Sequence, residues 1–416
     1  MWPPGAIGGC GPQVAAPDAG PGGAPERHGA ANFARSLADT ALKSRQTEAF
    51  VSTAGSALSQ ASLGVDRLFV SMSALHPAFR ARTYLWKRDT NRVHTIEWPH
   101  GLENRPGYYD SPDHFVHRTG SELRVRHPGE GGEHACDLYG TLRVQGYTDY
   151  LIVPLRLGDG TINALSIATK APQGFGDHDL DWFREQVPLL AVILERHAAL
   201  EALDAVLDAY LGRSVGHEIL RGQIRAGDGE LIDAAILMAD LDDFTGHAAR
   251  LDPAGTVRLL NSYFDCLVGP IGEHGGHVLK FIGDAVLAFF PVPSGGAVPT
   301  PLAAVRAIRT RLAALNATRA DAGQAPLRHA LCLHYGQVLY GNIGSSDRLD
   351  FTIIGEAVNL TARGVEAAKS TGLEYFFTAA FVERFGMTGL VRRGCQVLRG
   401  IAEPQEMFSL ADTGAP

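Results

Sequence analysis

The strongest constraint on this chain is a pair of apolar runs, each tied to an aspartate at a turn. The first, Ala234-Ala-Ile-Leu-Met-Ala-Asp240, closes on a carboxylate and passes into Leu241-Asp-Asp-Phe-Thr245. The second, Ala285-Val-Leu-Ala-Phe-Phe290, follows the Gly283-Asp284 turn, which is itself preceded by His277-Val-Leu-Lys-Phe-Ile282. These runs read as buried strands. Taken singly, either aspartate is turn punctuation. At the ends of neighbouring strands, two carboxylates can hold two divalent ions ~4 Å apart, a clamp suited to displacement at phosphorus.

A chain of 416 residues with 45% hydrophobic content has room for two or three domains. A net charge of −8 and a pI near 6.0 argue against a general nucleic-acid binder. No apolar stretch approaches the ~18 residues of a membrane span, and no basic segment followed by an apolar one marks a secretory signal. Cys10, Cys136, Cys266, Cys332 and Cys395 form no close pair, as expected of reduced thiols. A soluble, cytoplasmic protein is the expectation.

Residues 1–31 are rich in Gly, Pro and Ala and read as a disordered tail. From Phe33 to about Leu75 the pattern predicts helix. Arg82–Lys87 and Arg92–Trp98 predict a strand pair about Asp89-Thr-Asn91, and Asp149–Arg156 and Thr161–Ala168 another about Gly158-Asp-Gly160. The stretch 99–140 between them reads as long loops. From Asp177 to Leu211, Leu180, Phe183, Val187, Leu190 and Ile193 recur at helical spacing, with Pro188 expected to kink or segment the helix. That helix suits either a parallel dimer linker or a helix packed on its own sheet. Strands and helices then alternate over 231–410. One helix begins at Asp252-Pro253 with Val257, Leu260, Phe264 and Leu267 on a stripe; others cover about 301–318 and 356–369.

Residues 230–410 resemble a class III nucleotidyl cyclase catalytic domain. Met238-Ala-Asp240-Leu-Asp-Asp243-Phe-Thr245 is similar to the family's first metal-aspartate motif, and Lys280-Phe-Ile-Gly-Asp284 to its second. Gly355-Glu-Ala-Val-Asn359-Leu-Thr-Ala-Arg363 resembles a third element, and Val397–Pro404 with Met407–Leu410 the last two strands. The fold class implied is α+β: a ferredoxin-like, βαβ-type cyclase domain over 231–411, preceded by a helical linker at 196–230. More weakly, 32–195 is similar to an α+β GAF-type regulatory domain. That part leaves room for a small-molecule ligand and could equally be a ligand-free dimerisation module. His76, His94, His117 and His134 read as isolated polar groups rather than ligands.

By resemblance, Asp240, Asp284 and the Leu241 carbonyl hold two Mg²⁺ or Mn²⁺ ions per active site. Asp243, Phe244 and Thr245 form a phosphate-binding turn, and Asn359 and Arg363 serve the ribose and the phosphorus. The implied reaction is attack of the ribose 3′ oxygen on the α-phosphorus in a homodimer. Lys280 and Thr352 fall at the base-selecting positions. An ammonium donor and a hydroxyl acceptor suit adenine's N1 and N6 amino group, so ATP is the expected substrate and adenylate cyclase the expected activity. A guanylate or relaxed-specificity cyclase is the first alternative, and a catalytically weak nucleotide-binding signalling protein the second. The second arises because Asp243 stands where the family usually has Gly, so that its carboxylate must point away, contact a metal or lower activity. Gly131-Gly-Glu133, the one run like a diguanylate cyclase turn, lacks apolar flanking strands.

Overall fold

The computed structural model describes residues 26–61, 63–101, 106–128, 136–293, 295 and 298–411. The chain forms two compact units, dividing between Ala202 and Leu203. Among the described residues no helix is long and apolar enough to cross a membrane.

In the first unit, helices α1 (Glu26–Lys43) and α2 (Thr47–Gln60) lead into β1 (Arg67–Ser73), β2 (Ala81–Lys87) and β3 (Arg92–Trp98). Residues 1–25 of the expected tail lie outside the described residues, and α1 already covers 26–31. Strand β1 corrects the helical reading of the stretch up to Leu75: Leu68, Val70 and Met72 are buried at a period of two, which only a strand can place on one face. Short helices α3 (Pro106–Tyr109), α4 (Pro112–Thr119) and α5 (Asp137–Val144), with β4 (Leu123–Arg126), correct the reading of 99–140 as loops. The Ser111 side chain accepts from His114 N and caps α4, so its start is set by one hydroxyl within a polar stretch. Strands β5 (Asp149–Arg156) and β6 (Ile162–Thr169) form the expected hairpin and complete a six-stranded sheet in the order β3-β2-β1-β6-β5-β4. Helix α6 (Asp177–Leu211) is continuous through Pro188 and is not segmented there. Pro188 is exposed, so the Arg184 carbonyl it leaves without a partner can be hydrated, while Phe183, Leu190 and Leu194 hold both halves against one core.

The second unit opens with α7 (Arg213–Leu220) and β7 (Gly229–Leu241), followed by α8 (Phe244–Ala248) and α9 (Pro253–Glu273). Next come the hairpin β8 (His277–Ile282) and β9 (Ala285–Pro291), α10 (Pro301–Asp321), and the long β10 (His329–Gly344). Strand β11 (Leu349–Ile354) folds back on β10, and α11 (Glu356–Thr371), β12 (Tyr375–Thr378), α12 (Ala379–Phe385), β13 (Leu390–Gln396) and β14 (Gln405–Leu410) complete the unit. The β10-β7-β9-β8 portion of the sheet is antiparallel between neighbours, the strand order of a ferredoxin-like split βαβ unit. Of the two closing strands expected over 397–410, the first lies earlier, at 390–396, and 397–404 is a connection.

Strand β7 is covered on both faces, which is why it reads as an unbroken apolar run. Ala235, Leu237, Ala239 and Leu241 pack with Leu259, Tyr263 and Leu267 of α9 and Ile308 of α10. Ala234 and Ile236 point the other way, into a cluster with Phe289, Tyr340 and Phe351 formed where the β10–β11 hairpin folds across the sheet. The buried stripe of α9 is Leu259, Tyr263, Cys266, Leu267 and Ile271; Val257, expected on it, is exposed. The inward stripe of α11 is Ala357, Leu360, Thr361, Gly364, Val365 and Ala368. At Gly364 a Cβ would overlap the Cys332 side chain of β10, so this helix face lies closest to the sheet.

Candidate active site

Antiparallel pairing of β7 with β9 sets Ala239 opposite Val286, so the carboxylates of Asp240 and Asp284 come to the same edge of the sheet. Asp284 sits in the tight turn of the β8–β9 hairpin, after Gly283 with its φ of 64°. Partial burial, followed by the hydrogen-bonding contact and charge of Asp240, pushes the Asp284 carboxyl up to about 6, with Lys369 pulling it back. Beneath them, the buried Tyr263 hydroxyl lies 3.2 Å from His329 Nδ1. Burial and then the two aspartates raise the Tyr263 pKa, and burial lowers that of His329 to about 4, so the floor of the site is neutral.

Lys369, in the last turn of α11, donates from Nζ to Asp240 Oδ2 at 2.9 Å and to the Leu241 carbonyl at 2.8 Å. It therefore contacts two of the three oxygen donors expected to hold metal, and the sequence reading missed it. A lysine closing a helix reads as a partner of the helix dipole; only the packing of α11 against β7 brings it to Asp240. The donors are hard oxygens facing a cation, a set that fits Mg²⁺ or Mn²⁺. Among the described residues no group of three or more His, Cys, Asp or Glu could hold a metal ion. Such a pair needs further oxygens from outside the side chains, as Mg²⁺ sites completed by phosphate have.

Asp243 has φ 51° and ψ 36°, the left-handed conformation, immediately before α8. This explains physically why a glycine suits the position, and aspartate is among the residues that tolerate it. The Asp243 carboxylate folds back over Gly246, where any Cβ would overlap it, and the side chain caps no helical N–H. Phe244 packs partly against the α9 side of the core, and Thr245 is exposed.

Lys280 of β8 makes an ion pair with Asp350 of β11, and Thr352, two residues on, shares that strand face and is buried. The β10–β11 hairpin thus brings the two base-selecting candidates together, along with an acidic residue that the sequence reading did not single out. Asn359 is exposed, and Arg363 pairs with Glu366 within α11. Six residues beyond Arg363, Lys369 lies about 120° round the helix and about 9 Å along it. The face that touches Asp240 is therefore not the face that carries Asn359 and Arg363. In the first unit, His76 stacks on Phe79 and His117 lies 2.9 Å from the Tyr108 hydroxyl, while His94 is exposed. His134 and Gly131–Glu133 lie outside the described residues.

Residues 230–375 match the family model of the adenylate and guanylate cyclase catalytic domain. The chain thus carries a class III cyclase catalytic domain in its second unit. An uncharacterized protein of Mycobacterium tuberculosis is 36% identical over 181 residues, 42% of this chain and 31% of that protein. A second from the same species is 37% identical over 165 residues, 38% of this chain and 28% of its own length. The chain thus spans about a third of the length of these curated relatives. Among solved structures, the adenylyl cyclase CyaB from P. aeruginosa is 25% identical with a TM-score of 0.40, covering 45% of this chain and 97% of its own. The guanylyl cyclase Cya2 is 28% identical with a TM-score of 0.38, covering 45% and 96%.

Two predictions follow from these geometries. Because the Asp284 carboxyl keeps its proton to higher pH in the folded state, its contribution to stability falls as the pH rises from the unfolded value of 3.8 and is fully lost above about 6. Asp284→Asn is expected to stabilise the fold in EDTA at pH 7.5 by up to about 1 kcal/mol after solvent screening, read as a raised melting temperature, with the gain vanishing towards pH 4. Asp243→Gly removes a side chain from a left-handed position and is expected to stabilise by roughly 0.5 kcal/mol in urea titrations. A loss of stability would mean that its carboxylate supports α8.

Proposed function

We propose that the second unit is an adenylate cyclase that converts ATP to 3′,5′-cyclic AMP and pyrophosphate in a homodimer, with the first unit as its regulatory domain. The observation that carries this reading is the Asp240–Asp284 pair beside the Leu241 carbonyl, with a cation already drawn to it. Those three groups would hold two Mg²⁺ or Mn²⁺ ions, which when bound acidify the ribose 3′ hydroxyl and hold the triphosphate. The backbone N–H groups of the Asp243-Phe244-Thr245 turn would donate to phosphate oxygens, with the Asp243 carboxylate lying over Gly246. Arg363 stabilises charge developing at the five-coordinate phosphorus, and Asn359 orients the ribose. No histidine is required as base.

Lys280 donates to adenine N1 and the Thr352 hydroxyl accepts from its N6 amino group. The Asp350 carboxylate, paired with Lys280, holds that ammonium in place while the site is free of nucleotide. Guanine presents a donor at N1, which the Lys280 ammonium cannot accept, while the Thr352 hydroxyl can turn to donate to its O6, so the discrimination rests on Lys280.

Support for a site shared between two chains comes from α11, whose Asn359 and Arg363 lie on a different face from the lysine that meets Asp240 of the same chain. A two-fold axis would bring one protomer's Arg363 to its partner's aspartates. Exposed Phe281 and Ile282 beside the aspartate turn, and Leu339, Ile343, Leu349 and Ile354 on the β10–β11 hairpin, supply apolar surface for such contact.

The test is incubation of the purified protein with Mn²⁺ and ATP or GTP, with the product identified by chromatography. Cyclic AMP is expected to dominate; a cyclic GMP product would overturn the base assignment, and no product from either would favour the catalytically weak alternative. For sharing of the site, Asp240→Ala and Arg363→Ala are each expected to lose at least about a hundredfold in kcat. Mixing the two variants should restore part of the rate, because a mixed dimer has one site free of both lesions. No recovery despite demonstrated subunit exchange would place each site within one chain.

A further inference from the structure

Lys369 stands out among the charged groups of the second unit because it meets the donors of the active site without belonging to any role assigned above. Its Nζ bridges the Asp240 carboxylate and the Leu241 carbonyl, the contacts that an incoming divalent ion would make. We propose that Lys369 is an internal counter-ion that occupies the metal position in the nucleotide-free state and must be displaced for a divalent ion to bind. The inference rests on the reading of Asp240, Leu241 and Asp284 as the metal donors.

Three features make the ammonium suited to this exchange. It carries a single positive charge against two carboxylates, so it offsets their repulsion only in part. The Lys369 side chain is 34% exposed and that of Asp240 31% exposed, so neither has to break a sealed core to part. The lysine also extends on a flexible stem from the last turn of α11, just before Gly372 ends the helix in a left-handed conformation. The side chain can swing into solvent while the Ala357–Ala368 stripe stays packed.

The consequence is a threshold. Without nucleotide, an ion must compete with a tethered cation for its first two oxygens. An ion arriving with a triphosphate brings oxygen ligands of its own, so displacement becomes favourable when metal and nucleotide bind together. The lysine thereby holds the donors in place between turnovers and disfavours metal without substrate.

The experiment is Mn²⁺ binding to the nucleotide-free full chain, followed by the electron paramagnetic resonance signal of free Mn²⁺ at constant pH and ionic strength. Lys369→Met keeps the aliphatic stem and removes the competitor, and is expected to bind Mn²⁺ about fivefold more tightly than the unsubstituted chain, the scale of a part-exposed ion pair. Lys369→Arg retains the charge and should stay within about twofold. With a non-hydrolysable ATP analogue present, the gain from Lys369→Met should shrink, since the ammonium has already been displaced. Equal or weaker Mn²⁺ binding by Lys369→Met, or none by either protein, overturns the proposal. Asp240→Asn separates the two readings. If it leaves Mn²⁺ binding intact, the assignment of the metal donors fails. If it abolishes binding that Lys369→Met does not change, only the counter-ion role fails.

Discussion

Two carboxylates held side by side repel each other, and much of the second unit is arranged so that they cannot move apart. Asp240 ends a strand buried on both faces, and Asp284 occupies a turn between two strands of the same sheet. Neither backbone can retreat without breaking the β7–β9 pairing, which runs from Ala234 to Ala239. The repulsion is met instead by chemistry. The Asp284 carboxyl takes up its proton more readily, and the Lys369 ammonium closes on Asp240. A site that holds negative charge against its own preference is one that draws cations.

Helix α11 ties this charge arrangement to the rest of the unit. Its inner face is pressed onto β10 at Gly364, which fixes the rotation of the helix about its axis. That single rotation sends Lys369 to the aspartates of its own chain and Asn359 and Arg363 towards another surface. A shift of one residue in the buried stripe would redirect all three side chains by about 100°. The conformation of the helix is thus as much a part of the site as the residues it carries.

Much of the second unit was legible from sequence because its signals are local. The apolar runs of β7 and β9, the Asp252-Pro253 start of α9 with Asp252 accepting from Gly255 N, and the 356–369 helix all stand where their patterns place them. The first unit was less legible. Strand β1 adjoins a helical stretch and was absorbed into it, and α4 rests on one capping serine inside a polar segment. In the amphipathic α9 the sequence showed the spacing but not which of two adjacent stripes faces in, so Val257 was placed on the wrong side.

The sequence by itself determined the kinds of groups available: two aspartates at strand ends, a lysine and a threonine ahead of the second aspartate and of the third motif, and an asparagine and arginine one helical turn apart. It also marked Asp243 as unusual, because the family it resembles usually has Gly at that position. Tertiary structure alone decided that Lys369, 129 residues from Asp240, reaches its carboxylate, and that Asp350, 70 residues from Lys280, pairs with that lysine. Helix ends and strand ends follow from interactions within a few residues, and these can be read along the chain. Which charge meets which across a sheet depends on register, strand order and helix rotation, and those are settled only when the whole core packs.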